Sequence, residues 1–473
     1  MQSIRAPLIA MTALSALGRL AWLARSPHPP GTDGYYYVVQ IEDLLSTGAL
    51  HVPDASWALR VLALPAALVG DPTWGLKIGA AALAALCVPA AAWAGSSLGG
   101  RRAALALAAW AMASPVLTHL AADFPKNLGM AAPWLAFVAL GVAGGRRGAL
   151  ALAALAAATA HRLGAGLVAL AAAGWLLGRL LEGVSGRALA RGALAVALGG
   201  LAFGLLSVAS PGLLHPTDQV RLLGQLDPGA WPPAPFAWAR LRQTHPAELA
   251  EQALVWPAAA AALWALRTPA RRPLAVAGLA ALAPALLPWR TDTLDMGYRL
   301  SLVGPLVAVP LLVGLLAERL PEIPARRAWW SLALLPLCLT GADPHAGPPY
   351  GRYERLIEGI PRPLPELLIA HQGVNFLYDH RTGEEAMAWA PEPELDKARI
   401  GRITWGIRAS EWAAFAPGQP RVRLDADYAY VSEQAWVSFV ERAAAEGDDD
   451  LQARLADWRN PAQVRPAALT RGR

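Results

Sequence analysis

The sequence is poor in charged residues. Only 16% of its 473 residues are Asp, Glu, Lys or Arg and 55% are hydrophobic, whereas a soluble globular protein carries roughly a quarter charged residues. The shortage is concentrated in the first two thirds of the chain, where long Ala, Leu, Val and Gly runs dominate. Because a bilayer span needs about 20 mostly apolar residues, the composition excludes an ordinary soluble protein and predicts a membrane protein built from helices.

Cysteine and the common catalytic motifs are also scarce. The two cysteines, Cys87 and Cys338, lie inside apolar runs without a CxxC partner or a metal-ligand spacing, so we expect them to be small hydrophobic residues within helices. The sequence has no HExxH, GxSxG or Walker-type loop and no zinc-ligand set. Its formal net charge of +6 comes from arginines in short loops, and no basic stripe with interleaved aromatic residues predicts a nucleic-acid partner.

A succession of apolar runs predicts an all-α polytopic membrane bundle of about eleven transmembrane helices. Helices are the expected form because lipid offers no partner for backbone polar groups. We expect the first run to remain as a membrane helix rather than a cleaved signal peptide, because Arg25 and a proline-rich stretch follow it. The predicted spans are 7–24, 74–95, 102–120, 127–143, 147–160, 164–181, 192–209, 252–266, 273–288, 299–317 and 328–341.

The distribution of arginine predicts the orientation. Short cytoplasmic loops of membrane proteins are enriched in Lys and Arg, and here alternate loops carry most of them. We therefore expect a multi-pass protein of a bacterial inner membrane, with a cytoplasmic N-terminus and an extracytoplasmic C-terminus. The loops expected on the cytoplasmic side hold Arg101, Arg102, Arg146, Arg147, Arg179, Arg187, Arg191, Arg267, Arg271, Arg272, Arg319, Arg326 and Arg327.

A sharp change of composition near residue 341 predicts two domains. Residues 1–341 are expected to form the membrane domain, with outer loops at about 25–73 and 210–250, and residues 342–473 a small soluble α+β domain outside the membrane. In the first outer loop, the amphipathic stretch Trp57–Val69 is expected to lie along the membrane interface. In the soluble domain, the predicted strands are 366–370, 386–389 and 428–431, and the predicted helix is 433–446.

Two clusters of charged residues follow the first and third predicted spans. Asp33 opens the first outer loop, ahead of Tyr35 and Tyr36. A carboxylate at the membrane boundary can accept a proton from an acceptor hydroxyl or amide; the alternative is a hydrated loop with interfacial tyrosines. Asp123 and Lys126 share a very short outer turn, where charges close to the bilayer are costly. They either belong to a site or pair with each other and cap the next helix.

Two further clusters are expected on the same side. His161 and Arg162 interrupt an apolar stretch and form either part of a site or a snorkelling turn. Arg290, Tyr298 and Arg299 precede or open the span 299–317. A guanidinium binds phosphate through a planar fork of donors, and a helix start also favours an anion; the alternative is a loop of local Arg–Asp pairs. Because all four clusters are predicted on one face, carboxylates and phosphate-binding cations would share one cavity.

This layout resembles the GT-C superfamily of integral-membrane glycosyltransferases, which includes oligosaccharyltransferases, protein O-mannosyltransferases and aminoarabinose transferases. Asp33-Gly34-Tyr35-Tyr36 is similar to the Asp-x-Tyr-Tyr segment of oligosaccharyltransferases, and Asp123 lies where many members carry a second acidic residue. The stretch from Leu59 to the basic pair Arg101-Arg102 resembles the family's run from interfacial helix to cytoplasmic loop. The resemblance covers about residues 7–320, and the tail lacks the Trp-Trp-Asp motif of oligosaccharyltransferases.

The resemblance implies an inverting glycosyltransferase that moves a sugar from a polyprenyl-phosphate donor to an extracytoplasmic glycan, lipid or protein acceptor. It implies catalytic roles for Asp33 and Asp123 and leaves open whether a divalent cation, Mg²⁺ or Mn²⁺, takes part. The residues expected to bind substrate or the lipid phosphate are Tyr35, Tyr36, Lys126, His161, Arg162, Arg290, Tyr298 and Arg299. The alternatives are a transporter or flippase for a lipid-linked glycan, and a non-catalytic assembly protein. Charged residues at helix ends on one face favour the enzyme, because a transporter is expected to place them at mid-membrane.

Overall fold

A computed structural model shows that the chain is a helical integral membrane protein. It describes residues 4–31, 33–51, 54–144, 147–183, 190, 193–194, 196–201, 205, 245–286, 296–322, 324–341, 343, 345, 350–358, 372–383, 421–423 and 429–431. Within these ranges four helices are long and apolar enough to cross a membrane, namely Arg5–Leu23, Pro72–Ala113, Arg162–Leu181 and Tyr298–Arg319. The predicted helical bundle is confirmed there. The total of about eleven spans stays a prediction, because half of the predicted span 192–209 lies outside the described residues.

The first half of the chain is a close succession of helices whose ends follow from local sequence. Asp71 caps the longest helix, since its carboxylate accepts the N–H of Trp74 at 2.9 Å. Gly48 and Gly70 end two shorter helices in the left-handed conformation. The described helices are α1 (Arg5–Leu23), α2 (Gly34–Thr47), α3 (Trp57–Val69), α4 (Pro72–Ala113), α5 (Pro115–Asp123), α6 (Pro125–Val142), α7 (Arg147–Ala160) and α8 (Arg162–Leu181). Helix α3 has the predicted bounds.

A pair of glycines breaks α4 at the basic loop. The backbone leaves helical geometry at Gly99 and Gly100, whose φ values are −160° and 69°. Only glycine adopts the second conformation at little cost. The break separates the predicted spans 74–95 and 102–120, so the sequence placed this boundary correctly.

A second break divides the predicted span 102–120 and was not anticipated. Ser114 lies between α4 and α5, and its hydroxyl accepts the N–H of Leu117 at 3.0 Å. Pro115 occupies the first position of α5, where its missing N–H costs nothing. Two helices therefore replace the single predicted one, and α5 ends at Asp123.

Between residues 245 and 341, the described part of the chain contains four further α-helices and a long 3₁₀ helix. The helices are α9 (Pro246–Gln252), α10 (Val255–Ala265), α11 (Arg272–Leu286) and α12 (Met296–Leu316), with 3₁₀ turns at Pro269–Arg271 and Ala317–Arg319. The predicted span 328–341 is wound as a 3₁₀ helix, Ala325–Leu339, of 15 residues. A 3₁₀ helix rises about 2.0 Å per residue, so these residues reach about 30 Å, the thickness of the hydrocarbon core.

Small residues set the helix spacing in the bundle. Gly174 and Gly178, one turn apart in α8, lie directly against α11: a Cβ at Gly174 would stand 2.7 Å from the carbonyl oxygen of Val276, and one at Gly178 would overlap Pro273. Helices in lipid associate through close contacts of this kind, since lipid chains are as apolar as leucine. Alanine fills much of the buried core, which is consistent with tightly packed helices.

The arginine-rich loops meet at one end of the bundle. Arg102 donates to the carbonyl of Leu320 at 2.9 Å and pairs with Glu322, which joins the Gly99–Gly100 break to the end of α12. Arg271 pairs with Glu318 at 2.9 Å. The regions around Arg102, Arg271 and Leu320, which the arginine pattern predicts on one side of the membrane, thus share one end of the molecule. The identity of that side stays a prediction.

Part of the tail packs onto the first outer segment. Helix α14 (Gln372–Thr382) lies against α2, with the rings of Phe376 and Tyr36 5.3 Å apart. Helix α13 (Tyr350–Ile357) packs beside α14. Strands β1 (Arg421–Arg423) and β2 (Ala429–Val431) pair antiparallel, with Val422 opposite Tyr430. Strand β2 coincides with the predicted strand 428–431; the predicted strands 366–370 and 386–389 and the predicted helix 433–446 lie outside the described residues.

Candidate functional site

Asp33 lies at the start of α2, at the end of the bundle opposite the arginine-rich loops. It is the residue before the first helical turn, and its backbone carbonyl accepts the N–H of Tyr37 at 3.2 Å. Its half-buried side chain does not cap this helix. A carboxylate at a helix N-terminus is also in the favourable field of the helix dipole. The sequence predicts a loop after Asp33, whereas the structure places Asp33 at the N-terminus of helix α2.

Asp123 is held close to the same loop by a glycine. Gly31 has φ 77°, and a Cβ at this position would overlap the carboxylate of Asp123 and the carbonyl of Ala122. The backbone two residues before Asp33 therefore packs directly on the α5–α6 turn. This contact requires glycine twice, once for the left-handed conformation and once for the close approach.

The phenol of Tyr37 lies where three of the predicted site residues meet. Burial raises its pKa above the ordinary tyrosine value. Lys126 lowers this pKa, Asp33 raises it and Arg299 lowers it. Residues from α2, α6 and α12 therefore act on one buried hydroxyl, although they are far apart in the chain.

Tyr350, at the start of α13, joins the two candidate carboxylates. Its hydroxyl donates to the carbonyl of Gly31 at 3.0 Å. Burial raises its pKa, and the carboxylates of Asp33 and Asp123 raise it further. Asp33 and Asp123 thus both act electrostatically on the same tyrosine. The tail, which the sequence predicts as a separate domain, contributes this side chain to the candidate site.

Lys126 is anchored between two segments of the outer face. Its ammonium binds Asp54 at 2.7 Å and lies 5.5 Å from the ring centre of Tyr36, a cation–π distance. Asp54 also accepts the N–H of Ser56 at 2.7 Å. The alternative of a local pair between Asp123 and Lys126 is therefore not what the structure shows: Lys126 pairs with Asp54 in the first outer loop, and Asp123 pairs with His119 at 3.2 Å.

His161 and Arg162 lie at the α7–α8 turn on the same face. The Nδ1 atom of His161 accepts the N–H of Leu163 at 3.2 Å and caps α8. The preceding residue, Ala160, accepts the hydroxyl of Ser56 at 2.6 Å. This turn is therefore adjacent to the segment that carries Asp54, at the edge of the cluster formed by Asp33 and Asp123.

Tyr298 and Arg299 enter the site from the N-terminal turn of α12. The hydroxyl of Tyr298 lies 2.8 Å from Nε2 of His119, and the guanidinium of Arg299 lies 4.8 Å from the ring centre of Phe124. Both contacts are with the α5–α6 region around Asp123. Arg290 lies outside the described residues.

Tyr35 is a packing residue of the same face. Burial raises its pKa to about 12, and it is 3% exposed. Its hydroxyl lies at hydrogen-bond distance, 3.0 Å, from Nδ1 of His28, whose pKa is lowered first by burial. Its ring also contacts Tyr350 and His380. These contacts tie α2 to the tail.

Sequence analysis missed a buried polar network behind Asp123. His119 and Glu248 were hidden in an apolar run and in the long segment before residue 250, and only the fold brings them within 3.2 Å. Arg19, fully buried in α1, donates to the carbonyls of Ala111 and Ser114 at 3.0 Å, and Glu251 accepts the N–H of Val116 at 3.1 Å. A charged residue within an otherwise apolar run, such as Arg19, is the one available sequence signal.

A metal site is not apparent within the described part of the chain. No group of three or more His, Cys, Asp or Glu side chains there could hold a metal ion. A role for Mg²⁺ or Mn²⁺ stays a prediction, and no chemical step is assigned to a cation.

Two solved structures share the architecture. The structure of ArnT from Cupriavidus metallidurans bound to undecaprenyl phosphate matches with a TM-score of 0.59 and 14% identity, covering 89% of this chain and 97% of that chain. The apo structure of the same protein matches with a TM-score of 0.53 and 13% identity, covering 89% and 96%. ArnT is a GT-C aminoarabinose transferase. This chain has the GT-C fold.

The GT-C fold extends further along the chain than the sequence resemblance, which covered about residues 7–320. The match covers 89% of this chain. No protein-family model matches the chain, and no curated protein sequence does. At 14% identity the chain is a divergent representative of the GT-C fold, and the match concerns its architecture.

Proposed function

We propose that this chain is a membrane glycosyltransferase that moves a sugar from a polyprenyl-phosphate donor to an acceptor on the extracytoplasmic side. The observation that carries the proposal is the meeting of Asp33, Asp123, Lys126 and Arg299 around two buried tyrosines at one end of a GT-C fold. ArnT, which has this fold, was crystallised with undecaprenyl phosphate, so the architecture can hold a donor of this class.

The two carboxylates, Asp33 and Asp123, are placed to activate and orient the acceptor. Asp33 takes the proton of the acceptor hydroxyl or amine as that group attacks the anomeric carbon. A bond forms between the acceptor and the sugar, and the bond from the anomeric carbon to the phosphate oxygen breaks with its electrons on the phosphate. Polyprenyl phosphate leaves, and the configuration at the anomeric carbon is inverted. Asp123, fixed by Gly31 and His119, orients the acceptor or the sugar.

The cationic side chains are placed to stabilise the leaving group, the lipid phosphate. Negative charge grows on the lipid phosphate as the sugar departs, and fixed cations and N–H donors stabilise it. Among the described residues, Nε of Arg299 and Nδ2 of Asn127 are buried and lack a hydrogen-bond partner. A buried donor without a partner costs about 1–3 kcal/mol, and a phosphate oxygen would relieve this cost at both atoms. Lys126 supplies a further charge beside Asp54.

The test is transfer by the purified protein in vesicles that contain a radiolabelled polyprenyl-phosphate sugar. We expect release of polyprenyl phosphate and labelling of an acceptor, and we expect the variant Asp33→Asn to lose at least about 10²-fold in rate because it removes the base. Asp71→Asn is the matched control, because asparagine caps a helix as well as aspartate does and Asp71 lies outside the site. Full transfer by Asp33→Asn removes Asp33 from the mechanism.

The same vesicles separate the enzyme from a flippase. A flippase moves the labelled lipid between leaflets and leaves the sugar–phosphate bond intact, whereas the enzyme releases polyprenyl phosphate. Translocation without release contradicts the proposed function.

A further inference from the structure

His119 lies between two carboxylates that come from different parts of the chain. Its Nε2 atom is 3.2 Å from Oδ2 of Asp123, one turn later in α5, and its Nδ1 atom is 3.2 Å from Oε2 of Glu248 in α9. The imidazole is 8% exposed and Glu248 only 1%. The room for Glu248 depends on a glycine, because a Cβ at Gly341 would stand 2.7 Å from its Oε1 atom. The ring therefore has a fixed place behind the candidate site.

The contacts with two carboxylates favour a positively charged ring. A carboxylate accepts hydrogen bonds, so Nδ1 donates to Glu248, 3.3 Å from its Oε1 atom. With a second proton on Nε2, which lies 3.2 Å from Asp123, the ring is an imidazolium. The hydroxyl of Tyr298, 2.8 Å from Nε2, then accepts a hydrogen bond from the ring. A single positive charge is thereby shared between a deeply buried anion and a partly exposed one.

We propose that His119 is a positioning residue that keeps Asp123 ionised and aimed at the reacting groups, with Glu248 holding the imidazolium in place. The expected effect on sugar transfer rests on the proposed function. The expected effect on the charge of Asp123 rests on geometry alone. Asp123 is the member of this chain of contacts that faces the site, since Gly31 and Tyr350 lie next to it. His119 and Glu248 act through it.

The surrounding charges support one imidazolium. Apart from Asp123 and Glu248, the titratable or charged groups described on the elements around His119 include Glu251 on α9, Tyr298 and Arg299 on α12, Arg19 on α1, Lys126 on α6, which pairs with Asp54, and Cys338 on the 3₁₀ helix. Arg299 stacks on Phe124 and Arg19 binds carbonyls near residue 114, so the cation in direct contact with both carboxylates is His119. Without it, two carboxylates would face each other across the ring position, which favours protonation of one of them.

The experiment measures the acid side of the pH profile of transfer in wild type, His119→Gln and Glu248→Gln. Loss of the cation makes the ionised form of Asp123 less favourable, so we expect the acid limb of His119→Gln to move to higher pH by about one unit. Glu248→Gln should move it in the same direction. His51→Gln is the matched control, because His51 also binds a carboxylate, Asp43, at 2.9 Å but lies outside the site.

A second measurement does not depend on turnover. Modification of Asp123 by a water-soluble carbodiimide and glycinamide, followed by peptide mass spectrometry across an acidic pH series, reports when this carboxylate protonates, with Asp71 as the internal reference. We expect the Asp123 transition in His119→Gln to move up by about one pH unit while Asp71 is unchanged.

The outcomes are distinct. Coincident labelling curves for wild type and His119→Gln, or a variant that loses rate equally at every pH, overturn the role of His119. If the wild-type chain transfers no sugar, the proposed function fails, and the labelling curves still decide whether His119 sets the charge of Asp123.

Discussion

At the scale of the residue, Gly31 carries no functional group, but we expect the site to be sensitive to its substitution. Alanine there must adopt φ 77° and place its Cβ on Asp123. We expect Gly31→Ala to lower the transfer rate about 10²-fold, because a displacement of about 1 Å at a reacting group has that effect. Backbone strain adds about 1–2 kcal/mol to the loss of stability.

Gly48→Ala is the matched control for backbone strain. Its φ is 76°, and nothing lies within 4 Å of a Cβ there, so it should lose similar stability and keep its transfer rate. Thermal unfolding and transfer assays of both variants check this. Equal rates for the two variants would mean that the contact between Gly31 and Asp123 has no part in the reaction.

Sequence reasoning found residues whose charge is anomalous for their position. Asp33, Asp123 and Arg299 stand at the ends of apolar runs, where the cost of a charge near lipid makes each one conspicuous. It could not find Glu248 or Tyr350, because these residues gain their significance from contacts across more than a hundred positions, such as the 129 residues between His119 and Glu248. His119 has no local signal beyond a polar side chain in an apolar stretch.

At the scale of the element, the hydrophobic runs predicted where helices lie better than they predicted where helices are interrupted. The bounds of α3 and the break at Gly99–Gly100 follow from amphipathic periodicity and a basic pair. The break before α5 has a local signature, a serine cap followed by proline, which the apolar run around it obscured. The 3₁₀ winding of residues 325–339 has no comparable signal, because an apolar composition suits either helix.

The pairing of α8 with α11 is an element-scale property that one methyl group can test. Gly178→Ala places a Cβ on the backbone of Pro273 and 3.0 Å from the carbonyl oxygen of Arg272, so the helices must separate. We expect a loss of about 1–3 kcal/mol in the free energy of unfolding, as for an overpacked core. Unfolding in detergent followed by tryptophan fluorescence measures it.

The same helix provides the control. A Cβ at Gly166 in α8 meets nothing within 4 Å, so Gly166→Ala should be neutral or stabilise by up to about 1 kcal/mol through helix propensity. If both variants unfold at the wild-type temperature, the close contact of α8 and α11 does not hold in the folded protein.

At the scale of the whole molecule, the two ends of the bundle have opposite characters. One end gathers Arg102, Arg271 and Arg272 with carbonyls and exposed glutamates. The other gathers the carboxylates and cations of the candidate site beneath two helices of the tail. Alternation of arginine along the sequence was sufficient to sort the loops into two sets, because short loops must follow the helices they join. The contacts between loops of one set, in contrast, depend on helix packing, which a local sequence pattern does not predict.

The orientation of these ends is open to a direct measurement. Cys87 and Cys338 are both buried, so replacing them with alanine gives a background without cysteine, into which single cysteines are placed at Ser46 and Glu318. Ser46 is exposed at the site end, and Glu318 is 84% exposed at the arginine-rich end. Acidic residues contribute little to membrane orientation, so Glu318→Cys should leave the topology unchanged.

A membrane-impermeant maleimide added to intact cells with a permeabilised outer membrane should label Ser46→Cys, because the site end is expected outside the cytoplasm. Glu318→Cys should react only after the inner membrane is broken, and its reaction in lysed cells is the control for reactivity. The reverse pattern would place the candidate site in the cytoplasm, where nucleotide sugars are the available donors, and would contradict a polyprenyl-phosphate donor used on the extracytoplasmic side.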